Sequence, residues 1–233
     1  ILASHYSVAS VGGIACEWTS TMPPADEGSG TGRVEVVLLP FATTQFDAWM
    51  AADVYHPGAC NPDAEQCSRN TLVGSTWVST AASYTPQTTF DAYATELEDL
   101  VADAIPGAPP SAPETALGSG TCDDVVSGAM LAANLGFDSD LTIESVNGIW
   151  DVWAAADILA GTIRCNWTET IVSPPLWLGH LAALPGGAWA WNTVGGQLTD
   201  PSIPVPLDIP GLNAGDQAWI RCLDTNENCI VDL

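Results

Sequence analysis

Seven cysteines constrain this chain more than any other feature, because their spacing admits few of the uses to which cysteine is put. They stand at positions 16, 60, 67, 122, 165, 222 and 229. Cys60 to Cys67 and Cys222 to Cys229 share the spacing Cys-x6-Cys, and Cys-x2-Cys does not occur. Zinc knuckles draw on Cys-x2-Cys or Cys-x4-Cys with a second pair nearby, and redox catalysis wants Cys-x-x-Cys at a helix start, so neither use fits. Disulfides do fit, and they imply an oxidising, extracellular or cell-surface setting. There is no run of about 18 apolar residues, so no transmembrane segment is expected.

The cysteines also mark an internal repeat. Gly13-Ile14-Ala15-Cys16-Glu17-Trp18-Thr19 matches Thr162-Ile163-Arg164-Cys165-Asn166-Trp167-Thr168, both reading Cys-x-Trp-Thr. Val36-Val37-Leu38-Leu39-Pro40 matches Leu181-Ala182-Ala183-Leu184-Pro185, and each copy then reaches its Cys-x6-Cys. Ordered landmarks of this kind are the signature of a duplicated unit. Four prolines within Pro106-Gly107-Ala108-Pro109-Pro110-Ser111-Ala112-Pro113 separate the copies and support neither a helix nor a central strand. The division expected is therefore copy one over 1–105, a proline-rich linker over 106–120, and copy two over 121–233. Copy one lacks a front and copy two lacks the strand and helix that would follow Cys229, so each is expected to be incomplete.

Periodicity supplies the elements. Phe90, Tyr93, Ala94, Leu97, Leu100, Val101, Ala104 and Ile105 follow helical spacing behind Thr88 or Thr89, and Pro106 ends the helix. A helix over 43–54, capped by Thr43 or Thr44, would turn Phe46, Trp49, Met50 and Val54 inward. A further amphipathic helix runs from Thr121 to Leu135 and stops at Gly136. Val34 to Leu39 and 75–81 read as strands. Pro201 to Pro210 alternates proline with apolar residues, as an extended edge arm does. The fold class expected is α+β, two tandem repeats, each an antiparallel sheet with packed helices and disulfides.

Charge excludes whole classes of partner. The chain has 28 Asp and Glu among 233 residues, four Arg and no Lys, for a net charge of −24. Its acid content is ordinary, and the base is what is missing. Nothing can form a basic patch, so nucleic acid is excluded as a partner, as are Schiff-base and P-loop lysine chemistry.

Catalytic motifs are not found. His5, His56 and His180 are scattered and read as structural or surface residues. Gly28-Ser29-Gly30-Thr31-Gly32 precedes a strand, where a phosphate loop precedes a helix, and reads as a hairpin tip. Asp224, Asn226 and Asn228 alternate like calcium ligands, but Cys229 follows where a glycine belongs, and a turn stapled by Cys222 and Cys229 is preferred. No cofactor is expected. Of ten Trp, Trp18, Trp49, Trp77, Trp167 and Trp219 read as core. Trp177, Trp189 and Trp191 are candidates for an aromatic surface that binds a glycan or another subunit.

Thr121-Cys122-Asp123-Asp124 at a helix start, Leu135-Gly136 closing it, Cys165-Asn166-Trp167 further on and Gly215-Asp216-Gln217-Ala218-Trp219 near the end resemble actinobacterial secreted lipoproteins and extracellular sensor-type domains of unknown function. The resemblance covers most of 121–233 and, with its front missing, 13–105. It implies a disulfide from Cys122 to Cys165 and an extracellular location. Cys16, at the place of Cys165 in copy one, is then left unpaired in this chain, its expected partner lying ahead of Ile1. The function expected is non-catalytic binding or assembly outside the cell or at its surface, including as a subunit of a surface polymer, with the chain itself as partner. A cell-wall glycan-binding or sensor module with a Trp-lined site is the alternative, and a carboxylate hydrolase ranks third.

Overall fold

The computed structural model describes residues 2–19, 32–52, 58–61, 66–83, 87–104, 121–125, 127–136, 141–145, 148, 150–169, 176–184, 187, 205–206, 219–223 and 228–232. It divides into two compact units, Ile1–Gly187 and Ala188–Leu233. The class is α+β, with antiparallel sheets and disulfides.

The first unit begins with α1 (Leu2–Ser10), β1 (Ile14–Thr19), β2 (Arg33–Leu39), α2 (Thr43–Ala51), β3 (Gly58–Asn61), β4 (Gln66–Val73), β5 (Thr76–Ser83) and α3 (Gln87–Asp103). It continues with α4 (Cys122–Val125), α5 (Gly128–Leu135), β6 (Thr142–Ser145), α6 (Val152–Ala160), β7 (Ile163–Glu169) and β8 (Leu176–Ala183). The strands build a five-stranded sheet in the order β1-β2-β5-β4-β3 and a three-stranded sheet in the order β6-β7-β8. The second unit contains β9 (Val205–Pro206), β10 (Trp219–Leu223) and β11 (Asn228–Asp232), ordered β11-β10-β9.

Both faces of the larger sheet are covered, so the Val36–Leu39 stretch of β2 is apolar on both sides rather than alternating. Leu39, Val37 and Trp77 look toward α1, α2 and α6, and form one core with Val8, Val11, Ala42, Trp49, Val152, Ala155, Ala156 and Ala160. On the opposite face Phe90 of α3 packs with Cys67, Ala82, Val34 and Cys60. A third cluster, Cys122, Ala132, Leu141, Cys165 and Trp167, covers the smaller sheet. The largest core draws α1, α2, β2 and β5 together with α6, so its residues come from both sides of 106–120.

Helix α1 and helix α6 were not anticipated, α1 because its sequence carries little 3.6-residue contrast and α6 because it is apolar nearly throughout. Their ends follow ordinary capping rules. Asp151 accepts from the Ala154 N–H at 2.8 Å and opens α6. Gly12 and Gly161, both left-handed at φ 76° and 66°, close the two helices. The closing hydrogen bonds correspond. Gly13 N–H donates to the Val8 carbonyl and Thr162 N–H to the Asp157 carbonyl, each at 2.8 Å. Strand pairing corresponds too, with Cys16 opposite Val36 and Cys165 opposite Leu181. Beyond this helix, turn and strand pair, the surroundings differ.

Four expectations are corrected. Helix α2 starts after Ala42 and no threonine side chain caps it, because the buried Ala42 donates its N–H to the Ser75 carbonyl at 3.0 Å, and this tertiary bond sets the start. Within it Trp49 is buried, while Met50 is exposed. The expected single helix over 121–135 is two helices, since Ser127 is extended and its hydroxyl caps α5 by accepting from the Met130 N–H at 3.1 Å. Leu100, expected on the buried stripe of α3, is exposed.

Gly13 is a close-approach glycine. A β-carbon there would lie 2.7 Å from the Leu38 carbonyl oxygen and 2.9 Å from that of Val8. Both are backbone atoms and cannot swing aside. Gly13→Ala is expected to destabilise by about 1–3 kcal/mol, the range for forced overpacking, read as a lower urea midpoint with an unchanged circular dichroism spectrum.

Candidate functional site

Strand β1 is an edge. Its inner side pairs with β2 from Ile14 opposite Leu38 to Thr19 opposite Arg33, and among the described residues no strand pairs with its outer side. Such an edge offers a row of unpaired N–H and C=O groups, which a further strand can use. The other edge, β3, spans only Gly58–Asn61 and is fastened to β4 by the Cys60–Cys67 disulfide. Short length and a covalent tie protect it.

Strand alternation puts Ile14, Cys16 and Trp18 on one face of β1, the face that α3 covers further across the sheet. Ile14 is 55% exposed and Trp18 is 56% exposed. Trp18 was expected in the core, and that expectation is corrected. Its neighbour Val34 on β2 is half-buried. Cys16 between them is half-buried and is the free cysteine among the described residues. The Tyr93 hydroxyl of α3 lies within electrostatic reach, its pKa raised by burial and then by the Cys16 thiolate. On the other face, Glu17 stands directly opposite Glu35, and Arg33 Nη2 reaches both, at 3.0 and 2.6 Å. Arg33 thereby partly offsets the like-charge pair, leaving one net negative charge among the three groups.

The corresponding strand β7 is dressed differently. Its second edge is paired, Ser145 opposite Cys165 and Thr142 opposite Thr168. Cys165 is fully buried and bonded to Cys122 of α4. Trp167, the counterpart of Trp18, is only 6% exposed under Leu141, Ala132 and Leu131.

A buried polar cluster holds α1 to α6. Ser7 and Thr162 hydroxyls meet at 3.0 Å, and Asp157 binds Arg164 Nε at 2.6 Å while also bonded to the Ser7 hydroxyl. Ser7 is fully buried, so no substrate can reach it as a nucleophile. Burial raises the Asp157 pKa, and the Ser7 hydroxyl and then Arg164 partly offset it. The folded state therefore holds this proton more tightly than the unfolded chain does. Stability from this group is present in acid and is lost as pH rises through the raised pKa. Asp157→Asn is expected to flatten this decline, seen as a smaller fall in urea midpoint from pH 4 upward than in the wild type.

Arginine makes no described surface basic. Arg33 binds Glu17 and Glu35, Arg69 binds Glu98 at 2.7 Å, and Arg164 binds Asp157. Cys222 and Cys229 stand opposite each other across β10 and β11, and their side chains lie outside the described residues. Trp177 sits on β8 opposite Thr168 by its backbone, its side chain outside the description. Trp189, Trp191, Asp224 and Asn226 also lie outside it, and Asn228 begins β11 opposite Leu223. Among the described residues no group of three His, Cys, Asp or Glu is placed to hold a metal ion. No described helix is long and apolar enough to cross a membrane.

Nothing in the sequence marked β1 as bare, since Ile14, Cys16 and Trp18 read like any strand face awaiting a cover. The one signal was the odd cysteine. Comparison with protein-family models, curated proteins and solved structures finds no match to this chain.

Proposed function

We propose that this is a non-catalytic protein of the extracellular space or cell surface that acts by binding or assembly. The observation that carries the reading is the β1 edge, where Ile14 and Trp18 are exposed beside backbone that no strand pairs among the described residues. Exposed apolar groups next to an open strand edge are what strand addition by another polypeptide uses. Two disulfides support an oxidising location. Charge supports a partner recognised by apolar and backbone contacts, because Arg33, Arg69 and Arg164 are each already held by a carboxylate.

Native size tests the reading. Extracted without reductant, the protein is expected to sediment as more than one chain, and Trp18→Asp is expected to weaken that association by about tenfold or more, as loss of a central aromatic contact does. Trp18 lies outside every buried cluster, so the variant keeps its core. A single-chain mass for wild type at every concentration contradicts the proposal.

A further inference from the structure

Resting on that reading, we infer that the occupant of the β1 edge is a polypeptide segment of another protein with the chemistry of residues 121–145, which adds an antiparallel strand along Ile14–Thr19 and brings a helix-borne cysteine to Cys16. The structure displays this arrangement once already. Strand β7 corresponds to β1 in its preceding helix, glycine turn and strand partner, and it carries such a cover. There β6 pairs with the edge, Cys122 at the start of α4 bonds Cys165, and Leu131, Ala132 and Leu141 close over Trp167. At β1 the same three positions are open: the edge is unpaired among the described residues, Cys16 is free, and Trp18 is exposed.

Two features favour a partner of this kind over a second copy of the chain. The copy's own 121–145 already covers its β7, so lending it would bare one edge to cover another. Half-burial of Cys16 between Ile14 and Trp18 favours reaction with a disulfide-bonded cysteine that arrives with its own apolar cover.

The covalent step is thiol–disulfide exchange. Cys16 gives its proton to solvent, and its thiolate attacks one sulfur of a disulfide on the arriving segment. The Cys16–segment bond forms as the old bond breaks, and the other sulfur leaves as a thiolate. No net oxidation occurs.

The test uses the full chain and a synthetic peptide of residues 121–145, its Cys122 activated as a mixed disulfide with thionitrobenzoate. Capture releases coloured thionitrobenzoate and leaves the peptide mapped to Cys16. The native peptide is expected to react at least about tenfold faster than one carrying Leu141→Asp and Ile143→Asp, the factor that about 1.4 kcal/mol of added contact supplies. Trp18→Asp is expected to erase that advantage while Cys16 keeps its reactivity toward a small disulfide reagent. Equal rates for the two peptides overturn the inference, as does preferential formation of a Cys16–Cys16 dimer. Equal rates alongside Trp18-dependent association would sink the partner chemistry and leave the binding reading standing, whereas a monomer that captures neither peptide selectively removes both.

Discussion

Trp77→Ala is expected to destabilise the protein by about 3–5 kcal/mol, the range for truncating a fully buried aromatic side chain. Trp77 has no exposed surface and lies where both sides of the chain meet. Its ring centroid is 5.2 Å from that of Phe46, edge to face, and 5.2 Å from that of Trp49. Its indole N–H donates to Asn70 Oδ1 at 2.9 Å, so truncation also leaves a half-buried amide oxygen without its donor. Domains of this size are stable by only about 5–15 kcal/mol, so the loss takes a large share. Urea denaturation measures it. Trp77→Phe, which keeps an aromatic ring but loses the indole N–H, should cost visibly less. A loss below about 1.5 kcal/mol for the alanine variant would mean that the core over β2 and β5 relaxes to fill the space.

Removing the Cys122–Cys165 disulfide by paired alanine substitution is the second large effect. Loop-closure entropy assigns roughly 4 kcal/mol to a cross-link spanning 43 residues and roughly 2.5 kcal/mol to one spanning 7, so this bond outweighs Cys60–Cys67. The consequence is local as well as global. Helices α4 and α5 have four and eight residues, too short to persist in water without tertiary ties. Without the disulfide they are expected to lift from β7, baring Trp167 and giving the chain a second edge like that at β1. Hydrogen exchange over 121–145 and 163–169 measures this. The expected result is fast exchange there with the larger sheet still protected. Uniform protection would show that packing of Ala132, Leu141 and Trp167 holds the cover by itself.

Much of the fold was legible because its signals are local. Val34 to Leu39 announce a buried strand through β-branched content, and Phe90 and Ala94 show the buried face of α3 through helical spacing. Cys16 and Cys165 share the sequence Cys-x-Trp-Thr, and in the structure they stand opposite Val36 and Leu181. What the sequence hid depends on distant partners. That α6 packs against α1 and lends Val152, Ala155 and Ala156 to the core over β2 is a tertiary choice between two Ala-rich helices with similar faces. Whether a strand face is covered is equally non-local. Trp18 and Trp167 sit in heptapeptides that share Ile, Cys, Trp and Thr, yet one is exposed and the other enclosed, because only β7 has β6, α4 and α5 beside it. The candidate site is thus a difference between two similar segments, which neither segment reveals alone.

The difference has an energetic reason to matter. An exposed tryptophan and isoleucine beside open backbone form a local apolar surface that a partner can remove from water, at roughly 25 cal/mol per Å². A neighbouring chain that supplies strand, apolar cover and a disulfide-bonded cysteine would bring β1 to the condition of β7. Partner choice would then rest on shape, backbone register and the cysteine rather than on charge, which agrees with a chain that has four Arg and no Lys.

The most direct measurement is the chemical state of Cys16 in protein taken from its native source, with free thiols blocked at the moment of extraction and cysteine-containing peptides then mapped without reduction. The account predicts Cys16 in a disulfide to a cysteine of a different polypeptide, with Cys122–Cys165 and Cys60–Cys67 intact. Recovery of Cys16 chiefly as the blocked free thiol, or joined to Cys16 of a second copy, would contradict it.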